Sequence, residues 1–251
     1  MKTTVEFDES DRPIIGLEDE YEAGYVDRLH RHGRDQLLYA SAGVMSVTTA
    51  RANFVIPPQR AIWIPANVDH EVACRGPVSL RTLYFSDGRP SNGECRVIEV
   101  SDLLRALIVE VAKFGGFYEV AGRNLQLIDL LRTELIGMPD AHFHVPMPHD
   151  YRLQRVCRLI LETPADNHDL NELANIAGMG RRTFTRAVRS ELGMSFAVWR
   201  QQARLMHALT LLSEGQSVTT VAFDVGYDSP SAFTAMFQRS FGVPPSLYQP
   251  R

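Results

Sequence analysis

Through residue 100 the apolar positions come in short runs: Gln36-Leu37-Leu38-Tyr39, Val44 to Val47, Phe54-Val55-Ile56, Ala61 to Ile64 and Leu80 to Phe85. These runs are rich in β-branched and aromatic side chains, and turn formers separate them: Gly33, Ala42-Gly43, Pro57-Pro58, Pro65, Gly76-Pro77 and Asp87-Gly88. Many short, closely spaced strands predict a small sandwich or barrel. The period changes at Ser101, which caps a predicted helix carrying Leu103, Leu104, Leu107, Ile108 and Val111. Gly115-Gly116 breaks it. A second predicted helix over 123–136 sets Leu125, Ile128, Leu131 and Leu135 in one apolar stripe. The two helices either pack on the β-domain or offer a stripe to a second subunit.

Residues 138–150 hold three prolines and no periodicity, the signature of an interdomain linker. Its histidines, His142, His144 and His149, read as solvated side chains, because a flexible segment pre-organises metal ligands poorly. From Tyr151 onward the pattern is helical. Asp169-Leu-Asn-Glu172 is a capping box. Ser195, Ser217 and Ser229-Pro230 open further helices, and Gly178, Gly193, Gly215, Gly226 and Gly242 end helices.

This helical half repeats itself. Leu170, Leu173, Ala174, Ala177 and Gly178 recur as Val218, Val221, Ala222, Val225 and Gly226. Phe184, Val188 and Leu192-Gly193 recur as Phe233, Phe237 and Phe241-Gly242. Each unit is a short helix, a glycine turn and a longer helix, which is helix-turn-helix grammar. A single such match is weak, since any helical hairpin mimics it. Two in tandem, joined by a helix over 195–212, are a strong signal.

Charge sharpens this. The chain of 251 residues has a net charge of -4, divided as -6 over residues 1–149 and +2 over 150–251. Between 181 and 204 stand six arginines, Arg181, Arg182, Arg186, Arg189, Arg200 and Arg204, against one acid, Glu191. The planar fork of arginine pairs with phosphate and with guanine edges, so the cluster fits either a polyanion or a solvated helix face. Hydrophobic residues at 45% and charged ones at 22% describe an ordinary globular protein and argue against disorder, collagen and coiled-coil rods. Cys74, Cys95 and Cys157 are too few and too far apart for a disulfide framework or a thiolate zinc knuckle, as expected of reduced thiols in a cytosol. No apolar run reaches the roughly 18 residues of a membrane span, and Met1 to Ser10 lacks an apolar signal core, so a cytoplasmic location with no membrane partner is expected.

The stretches DLNELANIAGMGRRTFTRAVRSELGMS and SVTTVAFDVGYDSPSAFTAMFQRSFGVPPSLY resemble the DNA-binding domain of the AraC/XylS (arabinose-regulator) family of bacterial transcription factors, over all of 151–251. The resemblance implies seven helices that place two recognition helices on successive major-groove faces. It carries base contacts to Arg182, Thr185 and Arg186, beside Arg181, on the exposed face of the first unit, with Arg189 and Arg200 directed to phosphates. The second unit exposes Pro230, Ser231, Thr234, Ala235 and Gln238, with Arg239 for positioning. The family often has arginine where Ala235 stands, so sequence discrimination is expected mainly from the first unit. The implied partners are double-stranded operator DNA, a small-molecule or ion effector, RNA polymerase and a second copy of the chain. Activation or repression is set by where the operator lies relative to the polymerase.

The N-terminal segment resembles the cupin-type sensor domain of many such regulators, through His30-Arg-His32-x3-Gln36, Gly43 and Pro65-Ala66-Asn67-x2-His70. The fold class expected is therefore α+β: a cupin-like barrel or jelly roll over 1–100, a helical dimerisation segment over 101–137, a linker over 138–150, and an all-α double helix-turn-helix domain over 151–251. Metal-binding cupins carry a glutamate where Gln36 stands and a loop glycine where Asn67 stands. His30, His32 and His70 are candidate ligands of a transition metal; alternatively they bond an effector in a metal-free pocket. Gln36, Tyr39, Trp63 and Tyr84 are candidate pocket walls. Residues 36–65 also resemble a subgroup whose genes often lie beside transporter genes. The leading reading is an effector-responsive DNA-binding regulator without catalytic residues; the alternative is a metal-dependent cupin enzyme with an appended DNA-binding module.

Overall fold

The computed structural model describes residues 11–58, 60–74, 76–86, 93–138 and 145–249. It divides into two compact units, residues 1–49 with 56–143, and residues 50–55 with 144–251.

The first unit is β-rich. Strands β1 (Ile14–Tyr21), β8 (Val78–Phe85), β3 (Asp35–Ala42), β6 (Arg60–Ile64) and β9 (Arg96–Glu99) form an antiparallel sheet in that order. Strands β4 (Met45–Thr49), β7 (His70–Cys74) and β2 (Val26–His30) pair antiparallel beside one another in a second sheet. Period-two alternation gives β3 and β6 two different faces. Leu37, Tyr39, Ala61 and Trp63 point to one face, with Ile14, Leu83, Phe85 and Ile98. Helices α1 (Asp102–Ala112) and α2 (Gly122–Gly137) cover that face with Leu104, Leu107, Ile108, Val111, Ile128, Leu131 and Leu135. Ser101 caps α1 by accepting from the Leu104 N–H at 3.1 Å. The stripe expected on α2 therefore turns inward at three positions. The fourth, Leu125, is exposed, as are Leu130 and Ile136.

The second unit is helical: α3 (Tyr151–Glu162), α4 (Leu170–Ile176), α5 (Arg181–Leu192), α6 (Phe196–Ser213), α7 (Val218–Asp224), α8 (Pro230–Phe241) and a terminal 3-10 turn (Pro245–Tyr248). The internal repeat holds down to single hydrogen bonds. After α4 the Met179 N–H donates to the Ala174 carbonyl, and after α7 the Tyr227 N–H donates to the Ala222 carbonyl, both at 2.9 Å. Gly178 and Gly226 take left-handed conformations at these two turns, with φ of 65° and 79°. Phe184 and Phe233, equivalent in the repeat, are both fully buried.

Part of the proline-rich stretch is structured. Val145 and Pro146 form a two-residue strand, β10, against Asn53 and Ala52 of β5 (Ala52–Ile56), and the buried Trp199 donates from Nε1 to the Pro146 carbonyl at 2.8 Å. The Glu191 carboxylate accepts from the His149 and Asp150 N–H groups. His142 and His144 lie outside the described residues.

Candidate functional site

On α5 the helical period separates two faces. Phe184, Val188 and Leu192 are buried, and Arg181, Arg182, Thr185, Arg186 and Arg189 line one open surface together. Thr185 is exposed, and its hydroxyl donates to the Arg181 carbonyl at 3.0 Å. On α8 the exposed positions are Ser231, Ala232, Ala235, Gln238 and Arg239, with Pro230 and Thr234 half-buried. Phe233 and Phe237 anchor the opposite face, and Phe237 and Phe241 contact Tyr248 of the 3-10 turn.

Two of the six clustered arginines leave that open surface. Arg200 donates to the His168 carbonyl at 2.9 Å and lies over the Phe196 ring. Arg204, on α6 between the two helix-turn-helix units, is half-buried. Its Nε donates to the Pro164 carbonyl at 2.8 Å, Nη1 to the Gly226 carbonyl at 3.0 Å, and Nη2 to the Asp166 carbonyl at 2.9 Å and Asn167 Oδ1 at 2.8 Å. One guanidinium thus ties the loop entering the first unit to the turn of the second. A Cβ on Gly226 would lie 2.7 Å from Arg204 Nη2 and 2.9 Å from Ala165 Cα, so that turn also needs glycine for space. The sequence shows the arginine cluster but not this division of labour.

In the β-rich unit the three predicted histidines converge. His30 and His70 are register partners across β2 and β7, and His32 follows in the β2–β3 loop. Their ring centroids are 4.4 to 5.3 Å apart, and one nitrogen from each lies within 4.8 Å of the others. His70 is 1% exposed and His32 5%, whereas His30 is half-buried. The loop that delivers His70 is pinned: the Asn67 N–H donates to the His32 carbonyl at 2.7 Å, and the Ala66 N–H to Asp35 Oδ1 at 2.7 Å. Asn67 itself takes φ of 62°, the conformation a glycine would supply at that position, and asparagine tolerates it better than most residues. Burial, reinforced by the two neighbouring imidazoles, pushes the His32 pKa down to about 3. Burial also lowers that of His70. Both rings are therefore neutral near pH 7, the form in which imidazole offers a lone pair.

Gln36 reaches this region indirectly. Its Nε2 donates to the Tyr84 hydroxyl at 3.1 Å, and the Tyr84 ring meets His32 edge-on at 5.1 Å. Tyr39 and Trp63 do not join the cluster. Their parity sends them to the opposite face of the sheet, into the core under α1 and α2. The spacing of the sequence does not point to Asp27. Its Oδ2 lies 3.5 Å from His30 Nε2, brought there by a register shift between Asp27 and His30.

Comparison with known proteins agrees with both units. Residues 13–127 match a family described as the AraC-like ligand binding domain, and residues 173–251 one described as a helix-turn-helix domain. The HTH-type transcriptional regulator NimR of Escherichia coli K12 is 30% identical over 221 residues, covering 88% of this chain and 81% of NimR. The chain belongs to the AraC family of transcription regulators. The arabinose operon regulatory protein of Salmonella typhimurium LT2 is 26% identical over 170 residues, covering 67% of this chain and 59% of that protein. The crystal structure of ToxT from Vibrio cholerae O395 aligns over 94% of this chain at 13% identity, with a TM-score of 0.41. As a member of the AraC family, this chain is a DNA-binding transcription regulator with a ligand-binding domain. The alternative of a cupin enzyme finds no support among these relatives. No helix among the described residues is long and apolar enough to cross a membrane.

Proposed function

We infer that this regulator reads its operator chiefly through α5 and responds to an effector held in the β-rich unit, without catalysing a reaction. The observation that carries the reading is the single exposed face shared by Arg181, Arg182, Thr185, Arg186 and Arg189 inside one of two tandem helix-turn-helix units. Arg182, Thr185 and Arg186 read base edges; Arg181, Arg189 and Arg200 meet phosphates. Pro230, Ser231, Thr234 and Arg239 of α8 seat the second unit on the neighbouring groove. The regulator works in the cytoplasm as a homodimer formed through α1 and α2, where Leu125, Leu130 and Ile136 are exposed, and it acts on RNA polymerase at the promoter. On this reading residues 1–100 sense, 101–137 dimerise and 151–251 bind DNA.

The test selects a duplex from a random-sequence pool with the full chain and measures binding of Arg186→Ala. Loss of one guanine contact is expected to cost about 1–3 kcal/mol on the selected site and to relax preference at one base pair. Equal affinity of the variant for selected and scrambled duplexes would place all discrimination at that arginine. Affinity and preference unchanged from wild type would overturn the assignment.

A further inference from the structure

We propose that His30, His32 and His70, together with the carboxylate of Asp27, bind one divalent transition-metal ion, and that this ion is the effector. The proposal rests on the reading of the chain as an effector-responsive regulator and names what its sensor takes.

His30 Nδ1 lies 2.6 Å from the Arg28 carbonyl, and His70 Nδ1 lies 2.9 Å from the Val68 carbonyl. A carbonyl oxygen only accepts, so each Nδ1 carries the hydrogen and each neutral ring keeps its lone pair on Nε2. This is how metal-ligating histidines are held: the far nitrogen donates outward and fixes the tautomer. Both Nε2 atoms are buried and have no hydrogen-bond partner among the described residues. The same holds for both nitrogens of His32 and for Asp27 Oδ2. Orphaned polar atoms at this depth are costly; four of them belong to the three clustered rings, and the fifth, Asp27 Oδ2, lies 3.5 Å from His30 Nε2.

Asp27 decides the kind of occupant. Its Oδ2 lies 3.5 Å from His30 Nε2, and neither atom has a hydrogen-bond partner among the described residues. A cation between them would be held by both. Three imidazoles and one carboxylate would supply four donors, a set that suits a borderline divalent ion such as Zn²⁺, Co²⁺ or Ni²⁺. The distances permit it. Three nitrogens within 4.8 Å of one another leave a point about 2.8 Å from each, and shifts under ~1 Å per ring reach the ~2.0–2.1 Å of a zinc–imidazole bond. Gln36, bonded to Tyr84, is not needed as a ligand. The half-buried edge formed by His30 and Asp27, each with 22% of its side chain accessible, provides the way in.

The experiment titrates metal-stripped, full-length, untagged protein with Co²⁺, followed by its visible ligand-field absorption, then displaces it with Zn²⁺. One saturable site per chain is expected. Asp27→Asn and His30→Gln sit at the accessible edge and are expected to fold, which circular dichroism checks; each should weaken binding at least ~10-fold. His70→Ala should abolish it. No saturable Co²⁺ or Zn²⁺ binding by the wild type overturns the proposal, as does wild-type affinity in both edge variants. A second arm measures affinity for a duplex selected from a random-sequence pool, with and without Zn²⁺. A change of ~5-fold or more is expected of an effector. Metal binding with unchanged DNA affinity overturns the effector half alone. Metal binding without any sequence-selective DNA binding overturns the DNA reading and leaves the metal site standing.

Discussion

At the residue scale, side-chain parity explains what was visible in the sequence and what was not. His30 and His32 stand two apart, so a strand-like reading sends them to one side, and they do meet. Tyr39 and Gln36 stand three apart on β3, and they face opposite ways; the same count separates Tyr39 from the cluster. Asp27 and His30 are also three apart, and the same rule would have parted them. The bulge on β2 cancels the rule, and nothing in the residues from Val26 to His30 signals a bulge. Arg204 is a second case. It resembles its neighbours in the arginine cluster, yet its four hydrogen bonds go to groups around 164–167 and to Gly226. At ~0.5–1.5 kcal/mol net for each of four bonds, Arg204→Ala is expected to destabilise the helical unit by ~2–6 kcal/mol. Arg204→Lys should recover less than half, because an ammonium lacks the planar fork. Chemical denaturation followed by circular dichroism checks this, and a loss below ~0.5 kcal/mol would show the clamp to be dispensable.

At the element scale the repeat was the most legible feature of the chain, because hydrophobic period, cap residue and terminal glycine all point to the same hairpin twice. The helices α1 and α2 were equally visible as elements. Their destination was not, since an amphipathic stripe looks the same whether a sheet or a second subunit covers it; the sheet takes Ile128, Leu131 and Leu135. Strand β10 was illegible, because two residues carry no period. The two longer helices of the repeat differ in chemistry though not in frame. The face of α5 carries four arginines, whereas α8 offers Ser231, Thr234, Ala235 and Gln238 with Arg239 in its last turn. Hydroxyl, methyl and amide groups position a helix and touch thymine methyls; they seldom impose a guanine. Base-pair substitutions in the half-site under α5 are therefore expected to cost ~1–3 kcal/mol each, and those under α8 clearly less. Competition binding across a set of single-substitution duplexes checks this, and equal penalties in both half-sites would sink it.

At the scale of the whole molecule, the net charge of -4 conceals the charge pattern that bears on DNA. The bias runs from -6 in residues 1–149 to +2 in 150–251, and within the latter the arginines of α5 share one surface. A protein of this net charge is not drawn to DNA by its overall field, so attraction comes from that local face and is short-ranged. Each phosphate neutralised releases condensed counterions, which makes the slope of log affinity against log salt a count of contacts, near 0.9 per phosphate. Arg189, in the last turn of α5 and assigned to the backbone, is then expected to behave differently from Arg186, assigned to a base. Arg189→Ala should lower the slope by about 0.9 and weaken selected and scrambled duplexes alike. Arg186→Ala should weaken the selected duplex far more than the scrambled one. Titrations over a range of salt concentrations, run on both duplexes for both variants, separate the two behaviours. Should the variants exchange behaviours, α5 lies in the groove rotated from the orientation inferred here. A slope of zero in the wild type would remove the phosphate contacts, and with them the electrostatic basis of the interface.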